Sequence, residues 1–489
     1  MTTTERAASD PGPPTGPGAA RGIELNGLNT IDESERRGNA RDLFWPWFGA
    51  NVSVFGISYG SFLLFFGVSF AQAVVVGVLG TVVSFLLCGF VALAGKRGSA
   101  PTMVLSRAAF GVRGNRLPSL LSWLLTVGWE TVLTSLAVLS TATVFDRLGA
   151  GGGVGTKLVA LVVVAALVVA AGVAGFSVIM RLQRVITVVT GVLTVVYIVL
   201  VLGDIDLAAV AALPSGAAPA VVGGLVFMMT GFGLGWVNAA ADYSRYLPRQ
   251  TSSVGVVGWT TFGASLAPVL LLVFGLLLAG SSTQLRDDIA ADPIGALTTL
   301  LPTWFLVPFA LVAVLGLVGG AVLDIYSSGL ALLSAGVRIP RFVAAGIDGV
   351  LMIAGAVYVV FVATDFLGPF QGFLITLGVP IAAWCGVMLA DVALRRRNYV
   401  EADLYDRHGR YGDVRWLPIG LVALATFLGW GLVTNTFAPW LAWEGYLLGP
   451  LGGRSGPWAG ANLGVLVALL VGFVGTLFSR STVRSQESR

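Results

Sequence analysis

Residues Phe227 to Pro248, FMMTGFGLGWVNAAADYSRYLP, place Gly231, Gly233 and Gly235 around Phe232 and Trp236 inside an apolar segment long enough to cross a bilayer. Glycine costs about 1 kcal/mol relative to alanine in a helix interior. Three glycines in so short a stretch predict a helix that opens at this point. Unpaired backbone groups at membrane depth are tolerated only where they line a protein-enclosed cavity, so an opened helix implies a binding chamber. Small residues would also let two helices pack closely, and this segment alone leaves both uses open.

A second interrupted segment, Phe44 to Phe66, sharpens the choice, because Gly49, Asn51, Ser53, Gly56, Ser58 and Gly60 break up a run of aromatics there. Paired broken segments in two halves of a chain point to the midplane site of a transporter. The composition agrees with a membrane setting. Of 489 residues, 56% are hydrophobic and 11% charged, and the mean hydropathy is +0.87. A soluble domain carries roughly 25% charged residues.

Twelve apolar runs of helical length predict an all-α integral membrane protein with twelve transmembrane helices, at 43–66, 69–95, 119–145, 157–179, 185–203, 220–241, 254–280, 303–334, 342–363, 369–391, 417–434 and 460–478. The broken segments fall first and sixth. That position predicts a five-plus-five inverted repeat over 43–391, followed by a loop at 392–416, two appended helices at 417–478 and a tail at 479–489. Residues 1–42, polar and rich in Pro, Gly, Ala and Arg, read as a disordered tail.

Basic residues set the orientation. Arg36, Arg37, Arg41, Lys96, Arg97, Arg107, Arg113, Arg116, Arg181, Arg184, Arg245, Arg249, Arg338 and Arg341 mark one set of loops, as do the arginines of 395–415 and those of the C-terminus; the alternate loops hold Arg147, Lys157, Arg286 and Arg454. Lys and Arg are retained in cytoplasmic loops, so both termini are expected inside a cell membrane. The pI of about 9.2 follows from this topology rather than from a nucleic-acid patch. The outer carboxylates, including Asp292, Asp365 and Glu444, are expected in solvent. Cys88 and Cys385 lie in apolar runs and the single histidine, His408, in a charged loop. No disulfide framework, metal cluster, cofactor motif or catalytic triad can be assembled from them, which excludes the common enzyme classes.

Charges inside spans cost roughly 2.5–3.5 kcal/mol at the centre, so each is a functional hypothesis. Glu130, in WLLTVGWETVLTSLAV of the third span, follows Trp129 directly and is a candidate proton carrier or acceptor for a substrate N–H. Asp324, in GLVGGAVLDIYSSGLALLSAG of the eighth, is a candidate for holding a cation or a polar substrate. Either carboxylate would serve equally as a hydrogen-bonded helix contact. Asp242 sits beside Arg245 at the inner end of the sixth span and reads as a salt bridge or gate contact. Trp129 and Trp236 are both mid-span, beside a polar or glycine-broken turn, and such a pair can sandwich a flat ring through stacking of about 0.5–1.5 kcal/mol per contact.

Together, LFWPWFGAN (Leu43 to Asn51), AGKRGSAPTMVLSRAAFG, the Gly128-Trp129 pair, ADYSRYLP and IYSSGLALLSAGVRIPR resemble the nucleobase-cation symporter-1 family of cytosine, purine, allantoin and hydantoin permeases, from about Ile23 to the last span. The resemblance implies a leucine-transporter-like fold and symport of a planar heterocycle with protons or sodium. It implies that Trp129 stacks on one ring face, that Phe232, Gly233 and Trp236 supply the other, and that Asp324 takes the place of an Asn which hydrogen-bonds the ring. Asn51 joins this substrate set from the first break. Two departures stand out. Leu133 lies where relatives often carry Gln or Asn, while Glu130 adds an acid beside the Trp. Val318-Gly319-Gly320 lacks the hydroxyls of sodium-coupled relatives. Proton coupling through Glu130 or Asp324 is therefore the expectation. The alternatives are a sodium-coupled permease for allantoin, hydantoin or a vitamin-like pyrimidine, and an amino-acid or amine carrier of the same fold.

Overall fold

The computed structural model describes residues 27–174, 176–363, 365–435 and 439–488. Its backbone is helical throughout, and the elements that position the site are α1 (Phe44–Asn51), α2 (Phe55–Leu64), α3 (Phe70–Gly98), α4 (Arg116–Arg147), α5 (Val154–Ala174), α6 (Phe176–Val201), α7 (Ala218–Gly231), α8 (Gly233–Trp236), α9 (Ala240–Ser244), α10 (Ser253–Ser281), α11 (Leu306–Ser334), α12 (Arg341–Phe361), α13 (Leu367–Leu394), α14 (Trp416–Trp430), α15 (Gly464–Leu477) and α16 (Arg480–Ser488).

Among the described residues nine spans are long and apolar enough to cross a membrane, or ten if the bent pair α15 and α16 counts as one. The twelve expected runs exceed this count for physical reasons. The first is divided into α1 and α2, each too short by itself, and α14 has only 15 residues. The expected fourth and fifth runs end and begin closer together than predicted, so Arg181 and Arg184 lie within helix rather than in a loop.

Helix faces follow side-chain chemistry. On α6, Val188, Val192, Val195 and Val199 face outward, while Thr187, Thr190, Thr194 and Tyr197 are buried; this is the 3.6-residue period of a helix with one lipid face. Without a hydrophobic drive between helices in lipid, close approach needs small residues. A Cβ on Gly60 would lie 2.3 Å from the backbone of Gly275 and Leu276, so α2 and α10 touch main chain to main chain. The start of α3 is fixed by a capping box in which Gln72 N donates to the Ser69 hydroxyl and Ser69 N donates to Gln72 Oε1.

Two expectations are corrected. Residues 1–26 of the predicted tail lie outside the described residues, but 27–42 are docked on the bundle. Arg36 is buried and donates to the carbonyls of Leu247 and Lys96 and to the Ser99 hydroxyl. A guanidinium with five donors in a fixed fork can tie three segments together, and polarity by itself did not reveal that. Glu444, expected in solvent, is buried as well, inside the segment between α14 and α15. The segment at 96–118 packs into the bundle, with its short helices Thr102–Leu105 and Arg107–Phe110 buried.

Candidate functional site

The two broken crossings meet. In the first, α1 ends at Val52 (φ −81°, ψ 78°) and α2 restarts at Phe55, with Ser53 Oγ accepting from Phe55 N at 3.3 Å. In the sixth, Phe232 (φ −121°, ψ −106°) separates α7 from α8, and a 3-10 turn over Val237–Ala239 precedes α9. Backbone groups freed by the second break find partners on neighbouring helices: Tyr59 donates its hydroxyl to Gly231 O at 3.1 Å, and Gly233 N donates to Ser84 Oγ at 3.0 Å. Tyr59 also packs its ring 4.4 Å from that of Phe232. The first crossing thus holds the sixth open.

Between the breaks lies a cavity of about 50 Å³ whose lining includes Asn51, Ser53, Trp129, Leu133, Phe232, Trp236 and Asp324. Five of the residues singled out in the sequence, Asn51, Trp129, Phe232, Trp236 and Asp324, come together here. Two do not. Gly233 turns to α3, where a Cβ would sit 2.1 Å from the Ser84 carbonyl carbon. Its smallness serves packing, not the chamber. Glu130 is fully buried but absent from the lining, because successive helix positions point about 100° apart; Leu133, one turn beyond Trp129, shares its face instead. Glu130 lies against Ser328 of α11 and Asp348 of α12.

The cavity's polar groups are unspent. Trp129 Nε1 and both carboxylate oxygens of Asp324 are buried without a protein hydrogen-bond partner. Buried polar atoms are almost always paired, so a donor and two acceptors facing one chamber define a place where a polar-edged guest completes the hydrogen bonding. Asn51 is already engaged, its amide donating to Trp47 O at 2.8 Å. Apolar rings surround these groups: Trp129 packs edge-on against Phe370 at 5.6 Å and Phe373 at 5.9 Å, and Trp236 against Trp47 at 5.8 Å. Tyr59, Phe55 and Phe370 were not singled out from the sequence, since aromatics are common in any apolar run.

Hydrogen bonds join neighbouring elements on either side of the chamber. Ser58 and Ser61 of α2 donate to Pro293 O at 2.6 Å and Arg286 O at 2.8 Å, and Thr143 of α4 donates to Asp292 Oδ2 at 2.9 Å. These contacts join α2 and α4 to the segment containing the helix Thr283–Ala291. On the other side, Asp242 accepts from the backbone N and hydroxyl of Thr102, each at 2.8 Å, and Arg245 donates to Tyr326 OH at 2.8 Å. Asp242 is therefore a contact to the buried 96–118 segment. At the junction of α1 and α11, the Gln183 amide donates to Gly319 O, and its Oε1 lies beside Gly49.

A membrane chamber between two broken helices, lined by rings and unsatisfied polar atoms, is that of a solute carrier. The profile of the family described as "Permease for cytosine/purines, uracil, thiamine, allantoin" matches residues 30–449, and the chain belongs to this family, the nucleobase-cation symporter-1 family. It is a multi-pass membrane transporter and not an enzyme. It is 22% identical to a candidate purine-cytosine permease of Bacillus subtilis, YxlA, over 85% of this chain and 89% of that protein. To the purine-cytosine permease FCY2 of Saccharomyces cerevisiae it is likewise 22% identical, over 92% of this chain and 85% of the relative. The solved structure of Mhp1, a family transporter closed with bromovinylhydantoin bound, superposes with a TM-score of 0.68 at 19% identity, covering 95% of this chain and 100% of Mhp1. That likeness carries the fold.

Proposed function

We propose that this protein imports a nucleobase such as cytosine or a purine, or a related planar heterocycle, together with protons, by alternating access. The observation that carries this reading is the chamber itself: aromatic walls from both broken crossings, with Trp129 Nε1 as donor and Asp324 as acceptor left unpaired. A nucleobase presents a flat π face and alternating donors and acceptors on its edge, which is the complement. Trp129 stacks on the ring, Phe232 and Trp236 bound it from the sixth crossing, Asp324 reads its edge and Asn51 borders it. At about 50 Å³ the chamber is smaller than the roughly 150 Å³ cavity that admits benzene, so the ring enters when the chamber widens.

Proton coupling is supported by what stands at the α1–α11 junction. Gly319 and Gly320 carry no hydroxyls, and the Gly319 carbonyl already accepts the Gln183 amide. Glu130 and Asp324 are the buried carboxylates able to carry the proton. The reading extends to twelve crossings arranged as a five-plus-five inverted repeat over 43–391, a loop at 392–416, appended crossings within 417–478, and both termini cytoplasmic in the cell's inner membrane.

Uptake of labelled cytosine, adenine or allantoin into proteoliposomes tests the coupling. Accumulation driven by an inward proton gradient without sodium is expected. Uptake that needs sodium and ignores the pH gradient would sink the proton reading.

A further inference from the structure

Beyond the chamber, three helices bury a polar cluster that the transport reading does not use. Asp348 of α12 is completely buried on the stripe formed by Ala344, Ala345 and Met352, which packs against α4 and α11. Its two oxygens accept from different helices: Trp123 Nε1 of α4 donates to Oδ1 at 2.6 Å, and Ser328 Oγ of α11 donates to Oδ2 at 2.8 Å. Two donors aimed at one carboxyl group suit a carboxylate, which only accepts. The same Ser328 lies beside Glu130, but neither Glu130 oxygen is held by a well-formed hydrogen bond of the kind that fixes Asp348. A charge so weakly held in a dry interior is costly, so a proton is better placed on Glu130 than on Asp348 with its two donors.

The cluster also has a direction. Asp348 lies about two helical turns, or about 10 Å, inside α12 from Arg341. Gly336, in the turn between α11 and α12, lies against the guanidinium of Arg116 at the start of α4, so the starts of α4 and α12 and the end of α11 share one membrane face. On α11, Asp324 is deepest, at the chamber, and Ser328 is one turn nearer that face. Asp324 and Glu130, each more than two turns into its helix from this face, therefore both lie deeper than Asp348. The other facing charge is Arg341, buried with its Cζ 5.1 Å from the Tyr326 ring centroid, between Asp348 and the loop. α5 and α13, which also pack against α4, bring Lys157 and Asp391 respectively, each in an end turn remote from Asp348.

We infer that Asp348, with Ser328 and Trp123, is the inner station of the proton path, receiving the proton that Glu130 releases and passing it to the face bearing Arg341. In the step, the Glu130 carboxyl O–H bond breaks as its proton joins Ser328 Oγ. The Ser328 O–H bond to Asp348 Oδ2 breaks the other way, leaving Glu130 ionised, Ser328 neutral and Asp348 protonated. Trp123 Nε1 holds Asp348 in place for this transfer. A merely structural Asp348 would leave coupling untouched or fail with the fold.

The inference rests on the proton reading, and one experiment separates the two. Proteoliposomes loaded with a pH-sensitive dye receive whichever of cytosine, adenine or allantoin exchanges across the wild type, and both substrate counterflow and luminal acidification are followed for wild type, Asp348→Asn, Asp348→Glu and Ser328→Ala. Counterflow within about threefold of wild type is expected in all three variants. Substrate-linked acidification should fall at least tenfold in Asp348→Asn, fall severalfold in Ser328→Ala and return in part in Asp348→Glu. Full acidification in Asp348→Asn overturns the assignment while leaving proton coupling intact. Loss of counterflow and acidification together in both Asp348 variants marks a structural residue and also overturns it. No acidification in the wild type removes the proton reading and this inference with it.

Discussion

The two broken crossings reach the same outcome with different sequences. The first opens over Val52, Ser53 and Val54, where there is no glycine at all, and its glycines lie to either side: Gly49 toward Gln183, Gly56 toward Leu271, Gly60 against the backbone of Gly275. The sixth opens at Phe232 between two glycines, yet Gly231 is there to admit the Tyr59 ring, Gly233 to admit the Ser84 backbone and Gly235 to admit Trp129. Glycine in this protein marks where another segment comes close. The opening itself is held by partners for the freed backbone groups, among them the Tyr59 hydroxyl on Gly231 O and the Ser84 hydroxyl on Gly233 N. Of the two uses of glycine weighed from the sequence, cavity and close packing, these positions show the second.

If glycines serve approach rather than opening, the most damaging substitutions are those whose added Cβ would meet backbone, at a break or away from it. Gly60→Ala and Gly233→Ala each put a Cβ within 2.3 Å of neighbouring backbone that cannot swing away. Overpacking of this kind costs about 1–3 kcal/mol or more, and a clear loss of monodisperse protein and of thermal midpoint is expected in detergent for both. Gly49→Ala, whose Cβ meets the movable tips of Gln183 and Thr187, should be milder. Equal behaviour of all three would break the comparison.

Next in size is Trp129→Ala, which removes the ring wall and the unpaired Nε1 donor together. Loss of about 1.4 kcal/mol, a tenfold weaker affinity, is the least expected from a titration of ring binding, with the fold retained. Tyr59→Phe deletes one hydroxyl and leaves the rings packed, so a change of about 0.5–1.5 kcal/mol in stability and a severalfold change in affinity should follow. That result would separate the partner of the freed carbonyl from the glycine beside it.

The smallest effect concerns Glu444 in the outer segment. Burial raises its carboxyl to about 7, partly opposed by the Thr376 hydroxyl. Between the ordinary value of 4.5 and about 7 the folded protein binds more protons at this group than the unfolded chain does. Stability therefore falls as pH rises through that window and levels off above it. Thermal midpoints measured from pH 5 to 8 should show this slope in the wild type and a shallower one in Glu444→Gln.

Membrane character, the two breaks and most of the chamber were legible in the sequence because each rests on a local signal: runs of apolar residues, glycine among aromatics, a Trp in mid-span. What escaped depends on rotation and on distant partners. Leu133, not Glu130, shares the face of Trp129, a matter of helical phase that the pairing of Trp with an adjacent acid obscured. Asp348 lies on the i, i+3, i+4 stripe of Arg341, Ala345 and Met352, and that periodicity was the available sign that it points inward. Arg36 and Glu444 look like solvated charges in any local window. Their burial comes from segments far away in the chain, Leu247 and Ser99 for Arg36 and Thr376 for Glu444.

A carrier built in this way holds its flat guest between the two breaks. An electron cryomicroscopy map of the protein saturated with the ring it exchanges tests this most directly. Ring density about 3.5–4 Å from the Trp129 indole, with an edge toward Asp324 and Phe232 on its border, is the expected result. Density for the ring at any other place, with the chamber between Val52 and Phe232 still collapsed, would contradict it.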